Sequence, residues 1–68
     1  MPPLPGLGRK LKAARDRAGL TQEELARKAH IGRVYLARLE SGRYDPRVSI
    51  IVKLAKCLGV STDELLRR

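Results

Sequence analysis

Arg33, Val34, Ala37, Arg38 and Ser41 fall on one side of a helical period near the middle of this 68-residue chain. Arg33, Ala37 and Arg38 recur at four- and five-residue spacing, which brings them to a shared helix face. A helix fits the major groove of DNA, where an arginine can donate two parallel hydrogen bonds to guanine O6 and N7. Val34 and Ala37 are small apolar groups of the kind that pack on a thymine methyl. A solvated amphipathic helix, whose two arginines face only water, satisfies the same spacing.

The rest of the charge points the same way. The chain holds 15 Lys+Arg against 7 Asp+Glu, a formal charge of +8. Such an excess favours a polyanionic partner: DNA, RNA or an anionic membrane surface. Arg9, Lys10, Lys12, Arg15 and Arg17 crowd one stretch in which Asp16 is the lone acid. We read Lys10 and its neighbours as an auxiliary phosphate-contacting edge, the alternative being a solvated face. The basic residues spread over several helices instead of lining one, which argues against a membrane-surface helix.

Other chemistries find few residues. One cysteine, Cys57, makes no internal disulfide, so the natural setting is a reducing cytoplasm. One histidine, His30, and a distant cysteine do not make a zinc site. No nucleophile stands beside a base, so neither an enzyme, a metal nor a cofactor is expected. No apolar run approaches the ~18 residues of a membrane span. A chain this short buries only ~60% of its unfolded surface, so its core is small.

Five short helices must position the arginines. Met1 to Gly8 is rich in proline and glycine and reads as a mobile arm; the helical period begins at Leu7, giving an arm over 1–6 and a domain over 7–68. Leu7, Leu11, Ala14 and Ala18 share a face of the first helix, which Gly19 ends in a left-handed turn closed by Leu20. Thr21-Gln22-Glu23-Glu24 is a capping box that opens the second helix, with Leu25, Ala26 and Ala29 inward. His30-Ile31-Gly32 breaks it. The third helix runs from Arg33 to Ser41 with Leu36 and Leu39 inward, and Gly42 stops it. A loop follows, in which Asp45 caps the next helix and Pro46 enters its first turn. Val48, Ile51, Val52, Ala55 and Leu58 form the inner stripe of that fourth helix, ended by Gly59. Ser61-Thr62-Asp63-Glu64 repeats the capping box and opens a fifth helix. A capped helix, a short break with Gly32, and a second helix with an apolar inner face make helix-turn-helix grammar.

At this level the chain resembles a known family. The blocks from Thr21-Gln22-Glu23-Glu24-Leu25-Ala26, through Leu39-Glu40-Ser41-Gly42, to Leu58-Gly59-Val60-Ser61-Thr62-Asp63-Glu64-Leu65 are similar, in order and spacing, to the Cro/repressor-type (Xre-like) helix-turn-helix family. The resemblance implies an all-α, five-helix, lambda-repressor-like domain that binds double-stranded DNA, regulates transcription and pairs as a homodimer. It places Arg33, Val34 and Arg38 against base edges, and Ala37 joins them on the shared face. It gives Gln22 and the loop residues Gly42 and Arg43 to backbone phosphate. Arg15 and Glu40 match a structural ion pair. Two positions depart from the family's habit: Gly32 replaces a hydroxyl-bearing cap, and Arg47 stands where Ser or Thr is common, as a further phosphate contact or because the cap has moved to Asp45.

The remaining residues keep two readings. Tyr35 is either a half-buried packing residue or a hydroxyl that reaches phosphate. Tyr44 is an interface residue or a solvent-facing plug. Cys57 reads as a small core residue. Val60, Leu65 and Leu66 close the core, form a dimer interface, or do both. The function expected is a sequence-specific DNA-binding transcriptional regulator, a repressor acting as a homodimer on a palindromic operator. The alternative is an antitoxin or adaptor that uses the same fold to hold a partner protein.

Overall fold

The computed structural model describes residues 6–44 and 46–66. The expected arm over 1–6, apart from Gly6, and the expected cap Asp45 lie outside the described residues. Five helices follow in order: α1 (Leu7–Arg17), α2 (Gln22–Ala29), α3 (Arg33–Glu40), α4 (Val48–Leu58) and α5 (Thr62–Leu66). No strand occurs among the described residues. α1 packs on α3 and α5, α2 on α3 and α4, and α4 on α5.

Each helix buries one stripe. Leu11, Leu25, Leu36, Leu39, Ile51 and Leu54 are the largest fully buried side chains, and together they draw on α1 to α4. Burying each contributes ~1.5–3 kcal/mol against chain entropy. Ala14, Ala26, Ala29 and Ala55 fill the crossings between them. Small residues there let the helix axes approach closely.

Local chemistry sets the helix boundaries. Thr21 Oγ1 accepts from the Glu24 amide at 3.0 Å, and the Thr21 amide donates to Glu24 Oε1 at 2.9 Å. Both halves of this capping box are closed, and the two Thr21 contacts hold the Glu24 carboxyl below its ordinary range. α1 to α4 all end the same way, with a left-handed residue: Gly19, His30, Gly42 and Gly59. The amide beyond each turns back to the last helical turn, as Leu20 N does to Arg15 O at 3.1 Å and Ile31 N to Ala26 O at 3.0 Å. His30, at φ 55°, is the non-glycine of the set.

Several expectations are corrected. α1 begins at Leu7, where its period predicts, and Gly8, read with the proline- and glycine-rich stretch, is helical and buried. A Cβ on Gly8 would overlap the Glu40 carbonyl oxygen and lie 2.9 Å from the Leu39 oxygen. Glycine stands there because α1 crosses the end of α3 at backbone contact, not because a turn needs it. Ala18 is exposed as the C-cap of α1, past the reach of α3. Pro46 is buried ahead of α4 instead of opening it, and Arg47 is the N-cap, with no side-chain hydrogen bond. The α4 stripe is Ile51, Leu54, Ala55 and Leu58. Val48, 66% exposed, sits at the helix start, on the edge of that face. Ser61 Oγ accepts from the Glu64 amide at 3.2 Å. The returning carboxylate contact of that second box is not made among the described residues. Ser41 is the C-cap of α3 rather than its last residue.

One polar contact ties α1 to α3. Arg15, 8% exposed, donates from Nε to Glu40 Oε2 at 2.7 Å and from Nη2 to Oε1 at 3.1 Å. Its Nη1 donates to the Leu20 carbonyl at 2.8 Å. The Glu40 hydrogen bond raises the Arg15 pKa above its already high ordinary value, so the guanidinium keeps its charge.

Three outcomes test this packing. Gly8→Ala is expected to destabilise the domain by about 2 kcal/mol or more in urea melts, despite alanine's better helix propensity. Arg15→Ala strands a buried carboxylate and is expected to cost ~3–5 kcal/mol, whereas Arg15→Met with Glu40→Leu recovers most of it. Glu24→Gln tests the capping box by pH. A carboxylate with a lowered folded pKa stabilises above its unfolded value, and loses that effect as pH falls through the folded one. The melting temperature of wild type is therefore expected to exceed that of Glu24→Gln near neutrality and to converge with it in acid. A gap that persists at low pH contradicts the assignment.

Candidate nucleic-acid interface

α2, the turn at residues 30–32 and α3 form a braced unit. Leu36 and Leu39 fix α3 inward, with Ile31 packed against the same core. That leaves Arg33, Val34, Arg38 and Ser41 exposed and Ala37 half-buried on the opposite side. Val34 is 53% exposed, an apolar side chain standing on an otherwise polar surface. Gly32 caps α3 without a side-chain hydrogen bond, and no acid sits in its first turn. The amides there are free to attract an anion.

Glu40 joins three helices. Besides Arg15 it accepts from Gln22 Nε2 at 3.1 Å. Gln22, the first residue of α2, thus has its amide group tied to the far end of α3. Any phosphate contact by Gln22 starts from a side chain already held in place.

The acids are spent elsewhere. Glu23 and Glu24 lie in the first turn of α2, Asp63 and Glu64 in that of α5, where the helix dipole favours them. Glu40 is neutralised by Arg15, and Glu23 by Arg27 at 3.2 Å. Among the described residues none of Arg33, Arg38, Arg43 or Arg47 pairs with a carboxylate. Among the described residues, the outer face of α3 and the loop behind it therefore carry arginines without a carboxylate partner.

The loop after α3 returns over that helix. Gly42 turns it at φ 81°, and Arg43 and Arg47 are exposed. Tyr44 stacks toward Tyr35, ring centroids 5.9 Å apart and planes tilted by 30°. Tyr35 is half-buried against the core, its packing role taking most of the ring. The Tyr44 hydroxyl accepts from Arg38 Nη1 at 2.9 Å. Nothing in local sequence rules links Arg38 to Tyr44 across a helix end. The signal available was composition: these two tyrosines stand in a chain without Phe or Trp.

Lys10 takes a place other than that expected, and the open readings of Leu65, Leu66 and Val60 part company. Lys10 is half-buried; its Nζ is covered and has no hydrogen-bond partner among the described residues. The outward charge of α1 rests instead on Arg9 and Lys12, which are exposed. Leu65 is 2% exposed and belongs to the core, because α5 folds back on α1 and α4, so it is not surface for a second copy. Leu66 is exposed and Val60 half-buried. Cys57 is a free, half-buried thiol packed on the core. Among the described residues no cluster of His, Cys, Asp and Glu could hold a metal, and no helix is long and apolar enough to cross a membrane.

Comparison with known proteins agrees with this geometry. The Helix-turn-helix family model matches residues 11–65. The HTH-type transcriptional regulator ImmR of Bacillus subtilis is 45% identical over 60 residues, covering 88% of this chain and 47% of that protein. The immunity repressor protein of Bacillus phage phi105 is 38% identical over 60 residues, 88% of this chain and 42% of the repressor. The chain thus spans about half the length of these curated relatives. The biofilm master regulator SinR, solved in complex with DNA, superposes with a TM-score of 0.85 at 31% identity, covering 88% of this chain and 97% of that one. With the matched region running from α1 to α5 and the brace between α1 and α3 in place, this chain belongs to the Cro/repressor-type (Xre-like) helix-turn-helix family.

Proposed function

We propose that this chain is the DNA-reading domain of a transcriptional repressor, with α3 lying in the major groove of duplex DNA. The observation that carries this reading is the outer face of α3: exposed, basic, and unpaired with any carboxylate among the described residues. Arg33 and Arg38 donate to guanine edges, while Val34 and Ala37 meet thymine methyls. Gln22, Tyr35, Gly42, Arg43 and Arg47 approach the phosphates and set the register of the helix on the duplex. Arg9 and Lys12 extend the basic track along α1. Neutralised phosphates release counterions, and that release supplies affinity.

A single small module buries only ~600–1,000 Å² on DNA, too little for tight binding alone. We therefore read the functional unit as a homodimer on a palindrome, with half-sites about 34 Å apart. Exposed Leu66 and half-buried Val60 offer apolar surface for pairing. The relatives named as a regulator, a repressor and a DNA complex support the assignment to transcription. The setting that fits such a regulator is the cytoplasm.

Selection from a random duplex library at ~0.15 M salt, followed by light scattering on the winning complex, tests the whole reading. An enriched palindrome holding two protomers is expected. Arg38→Ala and Arg33→Ala are each expected to cost ~1–3 kcal/mol and to relax base preference at one position of each half-site. Arg43→Ala is expected to weaken all duplexes alike and to lower the salt slope by about one. Binding without enrichment, vanishing steeply with salt, would reject base reading and turn the search toward a partner protein.

A further inference from the structure

Arg38 is the arginine of α3 whose side chain is held in place. Its Nη1 donates to the Tyr44 hydroxyl at 2.9 Å, and its guanidinium carbon lies 5.9 Å from the Tyr44 ring centroid, at the hydroxyl end. Tyr44 is itself fixed from behind by Tyr35, which rests on the core. Arg33, on the same face and also exposed, has no such partner among the described residues. A continuous line of contacts therefore runs from the core through two rings to one guanidinium.

We propose that Tyr44 is a specificity-determining positioning residue: it presents the Arg38 guanidinium to one base pair in a pre-set orientation. The proposal rests on the DNA-reading function above and deepens it. Arginine has five N–H donors in a rigid fork. One hydrogen bond to Tyr44 leaves the donors that a bidentate pair with guanine requires. A free arginine must surrender rotamer freedom when it binds, and an arginine already held surrenders less. Tyr44 thus acts through Arg38 and need not touch a base. Its lever is the hydroxyl, because the ring alone stays stacked on Tyr35 when the hydroxyl is removed. The loop sequence following α3 thereby enters base recognition, although it lies outside the reading helix.

Tyr44→Phe isolates the hydroxyl. Binding of wild type, Tyr44→Phe, Arg38→Ala and the double variant is measured on the selected duplex. It is repeated on duplexes substituted at each half-site position, and on a scrambled duplex. The variant is expected to lose about three- to tenfold in affinity for the selected duplex, the range set by the ordering of one side chain. The loss is expected to come from the same base position that Arg38→Ala relaxes, with affinity for the scrambled duplex and the melting temperature unchanged. In the Arg38→Ala background Tyr44→Phe is expected to do nothing further, which a purely structural or phosphate-contacting hydroxyl would not produce. The amide and guanidinium NMR signals of the free protein give a second readout, with Arg38 side-chain N–H signals sharp in wild type and averaged in Tyr44→Phe.

Several distinct results overturn the proposal. An equal loss on every duplex makes Tyr44 a phosphate contact. A gain in affinity means that Tyr44 withholds Arg38 instead of presenting it. Additivity with Arg38→Ala separates the two residues, and an unchanged profile leaves the hydroxyl without a role. If wild type shows no preferred sequence and Arg38→Ala changes nothing, the DNA-reading function itself fails and takes this proposal with it; a preference that needs Arg38 but ignores Tyr44 overturns the positioning role alone.

Discussion

The contact between Arg15 and Glu40 joins residues 25 apart in sequence and holds the end of α3 against the side of α1. Both charges are shielded from water, with side chains 10% and 4% exposed. A buried pair of this kind contributes little net stability compared with apolar packing, because both ions lose hydration. What it contributes is geometry. A bidentate contact tolerates one relative placement of the two side chains, and Gln22 and the Leu20 carbonyl add a further contact to each partner. The start of α2, the end of α3 and the middle of α1 are thereby fixed to one another. Gly8 closes the same crossing from the other side, where backbone meets backbone.

That crossing also decides which charges face outward. Glu40 is the acid of α3, and it is consumed internally. If Arg15 did not hold it, a carboxylate would stand one turn from Arg43 and beside the exposed arginines. The remaining described acids sit mostly at the starts of α2 and α5, where backbone amides and the helix dipole stabilise them. One arrangement does two things: negative charge is placed where folding needs it and is kept off the outer face of α3. Long-range attraction follows from the resulting asymmetry, not from the net charge alone.

The turn between α2 and α3 shows how tightly this is specified. Four helices end in the same left-handed motif, and only this break uses a residue other than glycine, His30. The left-handed region disfavours a side chain, though histidine enters it more readily than most residues. The folded state nonetheless keeps the geometry, because Ile31 is drawn back onto the core and its amide returns to Ala26. Packing on both sides of the break outweighs the local preference.

The sequence by itself determined the five helices, both ends of α2, the glycine stops and the inward leucines of α1 to α3. Those signals are local: capping hydroxyls, left-handed residues and a 3.6-residue period act within a turn or two of the backbone. It also marked the outward arginines of α3, since a helix face follows from spacing once the inward leucines are known. Tertiary structure decided everything that depends on two segments meeting. Gly8 looked like part of a flexible arm until α1 was laid across α3. Leu65 and Leu66 were equivalent neighbours until α5 folded back and buried one of them. Val48 and Leu54 exchanged expected places because the partners of α4 select the buried arc. Lys10 has its ammonium covered, and Tyr44 gained Arg38 through a contact past the end of α3 that no short-range period encodes. Periodicity tells a side chain which face of its own helix it occupies; only the packing of the other helices tells it what that face will touch.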